Sequence, residues 1–284
     1  MAWWSWGDPA ASHVVVCVHG LTRQGRDFDR LAQALVARAQ GKLHVVCPDV
    51  AGRGHSDRLP QPALYQVPQY ASDMLTLLAQ LQQRAPLQTL DWVGTSMGGL
   101  IGMVLAGQAG LPLPVAIRRL VLNDVGPAIT WASLLRMQQY VGRYGRFADL
   151  AQAAAELRRL SLGFGPVPDD LWLELSAHMV RPCPEGGLTL HYDPAIGEPL
   201  RALTPEVAQA GEGAMWGLYD QIQSEVLLIR GQESDLLTEA TAQAMTQRGP
   251  QAQLVQWPGV GHAPTLTDPA HIDVLAGFLF DPKA

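Results

Sequence analysis

The chain has 284 residues, of which 48% are hydrophobic and 16% are charged, and its formal net charge is −6. This composition is typical of a globular protein with a large core and excludes a disordered chain. The acidic balance, without a cluster of lysine or arginine, argues against a protein that binds nucleic acid.

The sequence has neither a candidate membrane span nor a candidate secretory leader. No apolar run reaches the roughly 20 residues that cross a bilayer, and the start, MAWWSWGDPAAS, lacks a basic region followed by an apolar one. The three cysteines, Cys17, Cys47 and Cys183, favour buried or free thiols over a disulfide framework or a metal site. We predict a soluble, cytoplasmic protein without metal or organic cofactor.

Apolar runs typical of strands alternate with helical patterns along the chain. HVVVCVHG is followed by a helical period in FDRLAQALVARAQ, and LHVVCPDV is the next strand. Helical patterns in YASDMLTLLAQLQQ and LIGMVLAGQAG flank the strand LQTLDWVG. The strands IRRLVLNDVG, SEVLLIRG and AQLVQWPG follow, with a closing helix near HIDVLAGFLF. This alternation predicts a mostly parallel central sheet with helices on both faces.

The alternation stops between residues 128 and 223. This segment contains no convincing strand, whereas ASLLRMQQYVGRY, DLAQAAAELRRLSL and DDLWLELSAHMV have helical patterns. We predict a helical cap, residues 128–223, inserted into an α/β core of residues 1–127 and 224–284. In such sheets functional groups collect beyond the carboxyl ends of the strands, so each catalytic residue should follow a strand.

GTSMG, residues 94–98, places Ser96 between two glycines, after a predicted strand and before a predicted helix. Such a tight turn exposes the serine at the positive end of the helix, and the small residues allow the two segments to cross closely. A serine hydroxyl needs a base, and His262 in WPGVGHAP follows the last predicted strand. We therefore predict Ser96 as nucleophile and His262 as base.

Two aspartates compete to be the carboxylate that orients this base. Asp235 in RGQESDLL follows the strand SEVLLIRG by a short loop. Asp124 ends the strand IRRLVLNDVG, the next one along the chain from that of Ser96. We favour Asp235, with Asp124 as the alternative or as a brace for the loop that leads into the cap.

Two backbone amides are predicted to form an oxyanion hole, which acyl transfer requires. Met97 directly follows the nucleophile, and Leu21 follows the flexible Gly20 in the loop after the first predicted strand. His19 in the same loop is expected to order the loop through a side-chain hydrogen bond rather than to take part in catalysis.

These motifs resemble those of the α/β-hydrolase fold family over nearly the whole chain, in the family's order Ser, Asp, His. The motifs are HG at 19–20, PDVAGRGHSD at 48–57, GTSMGG at 94–99, RGQESDLL at 230–237 and GVGHAP at 259–264. The resemblance implies the α/β-hydrolase fold with a cap and a capped serine hydrolase of carboxylesterase, lactonase, thioesterase or carbon–carbon hydrolase type. Epoxide hydrolases and haloalkane dehalogenases of this fold carry an aspartate where Ser96 stands, so the serine argues against these two activities. The GRGHSD stretch is interpreted as a structural turn near the site.

The first functional hypothesis is a hydrolase of carboxylic esters with small or medium, mostly apolar acyl groups. It would act on a small-molecule ester, as a monomer or homodimer, without nucleic acid or membrane as partner. The alternatives are a carbon–carbon hydrolase of a ring-fission diketone acid, which needs a cation near the triad, and a non-catalytic ligand-binding protein. Candidates for the substrate pocket, each of which could instead pack cap against core, are Trp131, Met137, Tyr140, Phe164, Trp172, His178 and Trp216.

Overall fold

The computed structural model of the protein describes residues 1–143 and 145–281. Its first part supplies five strands of the central sheet. The elements are β1 (Trp3–Gly7), β2 (His13–Val18), α1 (Asp29–Arg38), β3 (His44–Pro48), α2 (Val67–Arg84), β4 (Thr89–Thr95), α3 (Met97–Gly107) and β5 (Ile117–Asn123).

Most of the following segment is helical, and the last part of the chain returns to the sheet. The middle elements are α4 (Trp131–Tyr140), β6 (Arg146–Phe147), α5 (Leu150–Leu160), α6 (Asp169–His178), β7 (Val180–Pro182), β8 (Leu188–Leu190), α7 (Gly197–Arg201) and α8 (Pro205–Tyr219). The last elements are β9 (Glu225–Gly231), α9 (Glu239–Gln247), β10 (Gln253–Trp257) and α10 (Pro269–Phe280).

The central sheet has seven strands in the order β1-β3-β2-β4-β5-β9-β10. Its β1 strand runs antiparallel to β3, and the other pairs are parallel. The prediction of a mostly parallel α/β sheet is therefore confirmed, and all six predicted strands are present. The β1 strand was not predicted, because it is a short, half-buried edge strand rich in tryptophan, without a continuous apolar run.

The five inner strands are buried on both faces, which explains their continuous apolar sequences. In β2, Val14, Val16 and Val18 face a core that includes residues of α2, α3 and α9. Val15 and Cys17 face the opposite core, formed with α1 and α10. The sheet is thus the middle layer of three, and the loops after β2, β4, β5, β9 and β10 leave from one edge.

The expectation that residues 128–223 lack strands is wrong. The short strands β6, β8 and β7 form a separate antiparallel sheet in that order. Each has only two or three residues, too few for an alternating pattern to stand out in the sequence. The predicted helices of this segment are present as α4, α5 and α6. The boundaries of a separate cap stay a prediction. Among the helices described, none is both long and apolar enough to cross a membrane.

Candidate active site

Ser96 occupies the one-residue turn between β4 and α3. Its backbone has φ 51° and ψ −115°, in the left-handed region that non-glycine residues rarely adopt. A strained residue of this kind costs on the order of 1–3 kcal/mol and persists only where the surroundings enforce it. The Ser96 amide donates to the carbonyl of Asn123 at 3.0 Å, which fastens the turn to the end of β5.

Two glycines allow this turn to lie close to its neighbours. A Cβ on Gly98 would lie 2.0 Å from the carbonyl oxygen of Val18 in β2, and one on Gly94 would lie 2.3 Å from the carbonyl oxygen of Gly98. No side chain fits at such distances. The buried Trp92 indole donates to the Gly98 carbonyl at 3.0 Å and holds the start of α3 on the sheet.

His262 connects Ser96 with a buried aspartate. Its Nε2 lies 3.0 Å from the Ser96 Oγ, and its Nδ1 lies 2.7 Å from an oxygen of Asp124. When Nδ1–H donates to the carboxylate, Nε2 accepts from the serine hydroxyl. This is the tautomer a general base requires.

Asp124 immediately follows β5 and is fully buried. Its Oδ1 accepts from the Gly231 amide at 2.8 Å, and its Oδ2 accepts from the Ser234 hydroxyl at 2.6 Å as well as contacting His262. The carboxylate is therefore immobilised by the end of β9 and aimed at the imidazole. Hydrogen bonds to an ionised carboxylate are stronger than those between neutral groups.

The prediction that Asp235 orients His262 is wrong. The Asp235 side chain is 54% exposed and forms an ion pair with Arg136 of α4 at 2.7 Å. Its carbonyl accepts from the hydroxyls of Thr130 and Ser133, each at 2.8 Å, so the residue faces the segment after β5. The physical reason is the strand order: β5 lies between β4 and β9, so the end of β5 is the nearer neighbour of Ser96.

The loop that carries Leu21 is held by His19. The buried His19 ring places Nδ1 2.7 Å from the Gly20 carbonyl, and its Nε2 accepts from the Val50 amide at 3.0 Å. Burial lowers the pKa of His19 to about 3, so the ring is neutral at physiological pH. His19 thus orders the loop, as expected from the sequence. This role requires no contact with Ser96.

Arg53 is a second support of this loop, and the sequence analysis did not single it out. Its fully buried guanidinium donates through Nε to the Leu21 carbonyl at 2.8 Å and through Nη1 to the Ala51 carbonyl at 2.7 Å. It lies over the ring of Tyr70, 4.8 Å from the centroid. The available sequence signal for Arg53 was its position within GRGHSD, the stretch interpreted as a structural turn near the site. A buried arginine needs several hydrogen-bond partners, which such a turn can supply.

Leu21, Ser96 and Met97 border one large cavity of about 1200 Å³. Met97 is the first residue of α3, and the first amides of a helix have no acceptor within the helix. Both residues predicted to supply oxyanion donors therefore line the same cavity as Ser96. Apolar side chains of five helices form much of the cavity wall, among them Leu75, Leu100, Val104, Met137, Leu200, Met215 and Leu218.

Of the seven predicted pocket residues, Met137 alone lines this cavity in the described part of the chain. Trp172 is buried instead, donates to the Ala154 carbonyl at 2.7 Å and packs edge-to-face with Phe164. Phe164 borders a separate small cavity that also includes His19. These two aromatic residues stabilise the packing of α5 with α6, so their assignment to the substrate pocket is corrected.

The other four also lie elsewhere. Trp216 packs against Tyr219 beneath the Arg248 guanidinium, and Tyr140 packs against the main core. His178 ends α6, where burial lowers its pKa. Trp131 begins α4 outside the cavity wall. Helical spacing could not show which face of each helix turns to the cavity.

The sequence and the structure were compared with those of known proteins. The model of the Alpha/beta hydrolase family matches residues 15–271. A 3-hydroxybutyrate-oligomer hydrolase from Cupriavidus necator is 46% identical over 281 residues, 98% of this chain and 92% of that protein. A 2-(acetamidomethylene)succinate hydrolase from Mesorhizobium japonicum is 26% identical over 86% of this chain and 79% of that protein. The crystal structure of an alpha/beta hydrolase from Novosphingobium aromaticivorans has a TM-score of 0.80 at 36% identity, covering 98% of this chain and 92% of that one.

Proposed function

The chain belongs to the α/β-hydrolase family, and from this premise we propose that it is a serine hydrolase of carboxylic esters. The observation that carries the proposal is the hydrogen-bonded series Ser96 Oγ, His262, Asp124 at the carboxyl edge of the sheet. Nucleophile, base and orienting acid are the three roles that acyl transfer by serine requires.

In the proposed mechanism, Ser96 Oγ attacks the ester carbonyl carbon while His262 Nε2 takes the hydroxyl proton. The carbonyl oxygen becomes an anion, which the amides of Leu21 and Met97 stabilise. The carbon–oxygen bond of the ester breaks, and His262 gives the proton to the leaving alkoxide. A water molecule, deprotonated by His262, then attacks the acyl carbon; the bond between this carbon and Ser96 Oγ breaks, Oγ takes the proton from His262, and the acid is released. Asp124 orients the imidazole and stabilises its protonated form throughout.

We further propose oligomers of hydroxyacids, joined by ester bonds, as a substrate class. Support comes from the 46% identity with the hydrolase of 3-hydroxybutyrate oligomers and from the apolar cavity beside Ser96. The alternative carbon–carbon hydrolase needs a cation for its diketone acid, and no lysine or arginine is among the described residues that line the cavity. The cytoplasmic location, the monomer or homodimer and the independence from cofactors stay predictions.

Replacement of the nucleophile tests the proposal. The purified wild type should hydrolyse p-nitrophenyl butyrate and 3-hydroxybutyrate oligomers and should be labelled by an organophosphonate, detected by intact mass. Ser96→Ala should lower kcat by at least about a thousandfold, because no covalent acyl intermediate can form. Peptide mapping should place the label on Ser96.

The control is Ser234→Ala, which removes the hydroxyl that donates to Asp124 but leaves the nucleophile. This variant should still be labelled, at a lower rate. A wild type that neither hydrolyses these esters nor takes up the label would contradict the proposed function.

A further inference from the structure

The large cavity lies on the acyl side of the scissile bond. Its lining includes Ser96 and the two residues whose amides would bind the carbonyl oxygen, Leu21 and Met97, whereas His262 is not part of it. The leaving alkoxide has to lie next to His262 Nε2 to receive the proton. The acyl chain, attached to the carbon held by the two amides, therefore extends into the cavity.

The length of the cavity can be read along α3. Met97, Leu100 and Val104 line it at intervals of three and four residues, and Gln108, which caps the helix, lines it as well. Met97 and Gln108 are 11 positions apart, so at 1.5 Å per residue the cavity follows the helix for about 16 Å. Its volume of about 1200 Å³ exceeds the range of roughly 300–1,000 Å³ of ordinary ligand pockets.

This length fits a short oligoester. Three backbone atoms of an extended chain span about 3.5 Å, so the chain advances about 1.2 Å per atom. About 16 Å then corresponds to about 13 atoms, and each 3-hydroxybutyrate unit contributes four atoms. The acyl side can thus hold about three units, more than the small or medium acyl group expected from the sequence.

The charges on the wall fit the acyl part of an oligoester better than its leaving part. In a hydroxyacid oligomer the acyl part of each ester bond carries the hydroxyl end, and the leaving alcohol carries the free carboxylate. Glu198 and Glu212 line the cavity, and the described lining contains no lysine, arginine or histidine. A free carboxylate in this space would lose its hydration without gaining a cation and would be repelled by both glutamates. The hydroxyl end of a hydroxyacid oligomer carries no charge and meets neither cost.

We infer that the cavity is the acyl site and holds up to about three units of an oligoester, so that cleavage falls near the carboxyl end of a short oligomer and releases a short carboxyl-terminal part as the leaving alcohol. The inference rests on the proposed function and adds to it the number of units bound on the acyl side of the cleaved bond. The ester bond breaks between the acyl carbon, retained on Ser96, and the oxygen of the departing unit. That oxygen takes its proton from His262, and water supplies the hydroxyl that later frees the acid.

End-capped trimers test the charge argument on the wild type. A 3-hydroxybutyrate trimer whose hydroxyl end carries an acetyl cap should be cleaved about as fast as the uncapped trimer. A succinyl cap, which adds a carboxylate at the same end, should lower kcat/KM at least about tenfold because of its desolvation. With ¹³C in the carboxyl-terminal unit of the uncapped trimer, the first products should be labelled monomer and unlabelled dimer.

Two glycines of α8 provide a matched pair of variants. A Cβ on either Gly211 or Gly213 meets no atom within 4 Å, but only Gly211 lines the cavity. Gly211→Phe should lower kcat/KM for the trimer at least about tenfold relative to p-nitrophenyl acetate, because the ring takes up space in the cavity. Gly213→Phe should leave this ratio unchanged.

The results separate this inference from the proposed function. Equal rates for the acetyl and succinyl caps, labelled dimer as the first product, or the same ratio in both phenylalanine variants would overturn the inference, provided that p-nitrophenyl acetate is hydrolysed. A wild type without any ester hydrolysis would contradict the proposed function itself.

Discussion

At the scale of single residues, burial and hydrogen-bond partners distinguish two aspartates that both follow strands. Asp124 is fully buried and its carboxylate receives an amide, a hydroxyl and an imidazole. Asp235 is more than half exposed and pairs with one arginine. A carboxylate can keep a histidine in one tautomer only if its own position is fixed, and Asp124 alone meets this condition.

We therefore expect the two asparagine variants to differ strongly in activity. Asp124→Asn should lower kcat by about a thousandfold to ten-thousandfold, since an amide NH₂ facing Nδ1 favours the wrong tautomer. Asp235→Asn should change kcat less than about fivefold, because an exposed ion pair contributes about 0–1 kcal/mol. Steady-state kinetics with p-nitrophenyl butyrate would measure both.

Circular dichroism and thermal unfolding of the two variants serve as controls for folding. A large loss of kcat in Asp235→Asn, with Asp124→Asn active, would contradict the assignment of the acid.

At the scale of elements, the turn from β4 to α3 depends on space rather than on side-chain chemistry. The helix begins so close to β2 that Gly98 has the Val18 carbonyl where a Cβ would be. This closeness also brings Gly20, in the loop after β2, near Ser96: a Cβ on Gly20 would lie 3.7 Å from the Ser96 Cβ. Local packing thus supplies the geometry that the nucleophile needs.

Gly98→Ala should consequently lower both stability and activity. The added methyl group has to displace β2 or α3, which costs about 1–3 kcal/mol, and it moves the Met97 amide away from the nucleophile. The free energy of unfolding, measured in urea, and kcat with p-nitrophenyl butyrate should both decrease.

The matched control is Gly213→Ala in the exposed part of α8, where the Cβ meets no atom. Alanine there should stabilise the protein by up to about 1 kcal/mol through helix propensity, with kcat unchanged. Equal changes in stability and in kcat for Gly98→Ala and Gly213→Ala would contradict the role of the close approach between Gly98 and β2.

At the scale of the whole molecule, the two ends of the central sheet have different tasks. Ser96, His262 and Asp124 lie at the carboxyl end, whereas Asp91 lies near the start of β4. Its buried carboxylate contacts His13 Nε2 at 2.7 Å and receives bonds from the Arg118 side chain at 2.5 and 3.0 Å. Arg118 also donates to the Leu279 carbonyl and so links the sheet with α10.

The pKa of Asp91 connects this cluster with stability. Burial alone would raise the pKa, but the hydrogen bonds from His13 and Arg118 outweigh it and hold the pKa below the ordinary value of 3.8. A carboxyl with a lower pKa in the folded state stabilises the fold above pH 3.8, and this contribution is lost as the pH falls below that value.

Asp91→Asn should therefore lower the free energy of unfolding at pH 7 by about 3 kcal/mol, because it leaves a partly buried arginine without its carboxylate. The difference from the wild type should narrow as the pH falls below 3.8. Urea unfolding at several pH values measures both effects, and kcat per folded molecule should stay unchanged.

Asp169→Asn is the control, since the Asp169 side chain is 95% exposed and its pair with Arg158 contributes little. A loss of kcat in Asp91→Asn without a loss of stability would contradict the separation of the two ends.

The sequence by itself determined the features that depend on neighbouring residues. Apolar runs placed the six parallel strands, and the glycines around Ser96 and the loop of His262 identified the two residues, proposed as nucleophile and base, that the structure brings together. These signals are local because strand burial and tight turns impose their demands on successive residues.

Only the tertiary structure decided which carboxylate meets His262 and which side chains line the cavity. Both depend on contacts between segments far apart in the chain: the strand order brings Asp124 to His262, and residues of α7 and α8 line the cavity together with residues of α3. Helical periodicity in the residues from 128 to 223 showed that faces exist but not which neighbour each face would meet. Trp172 and Met137 were therefore equal candidates for the pocket wall in the sequence, whereas in the structure Met137 lines the cavity and Trp172 does not.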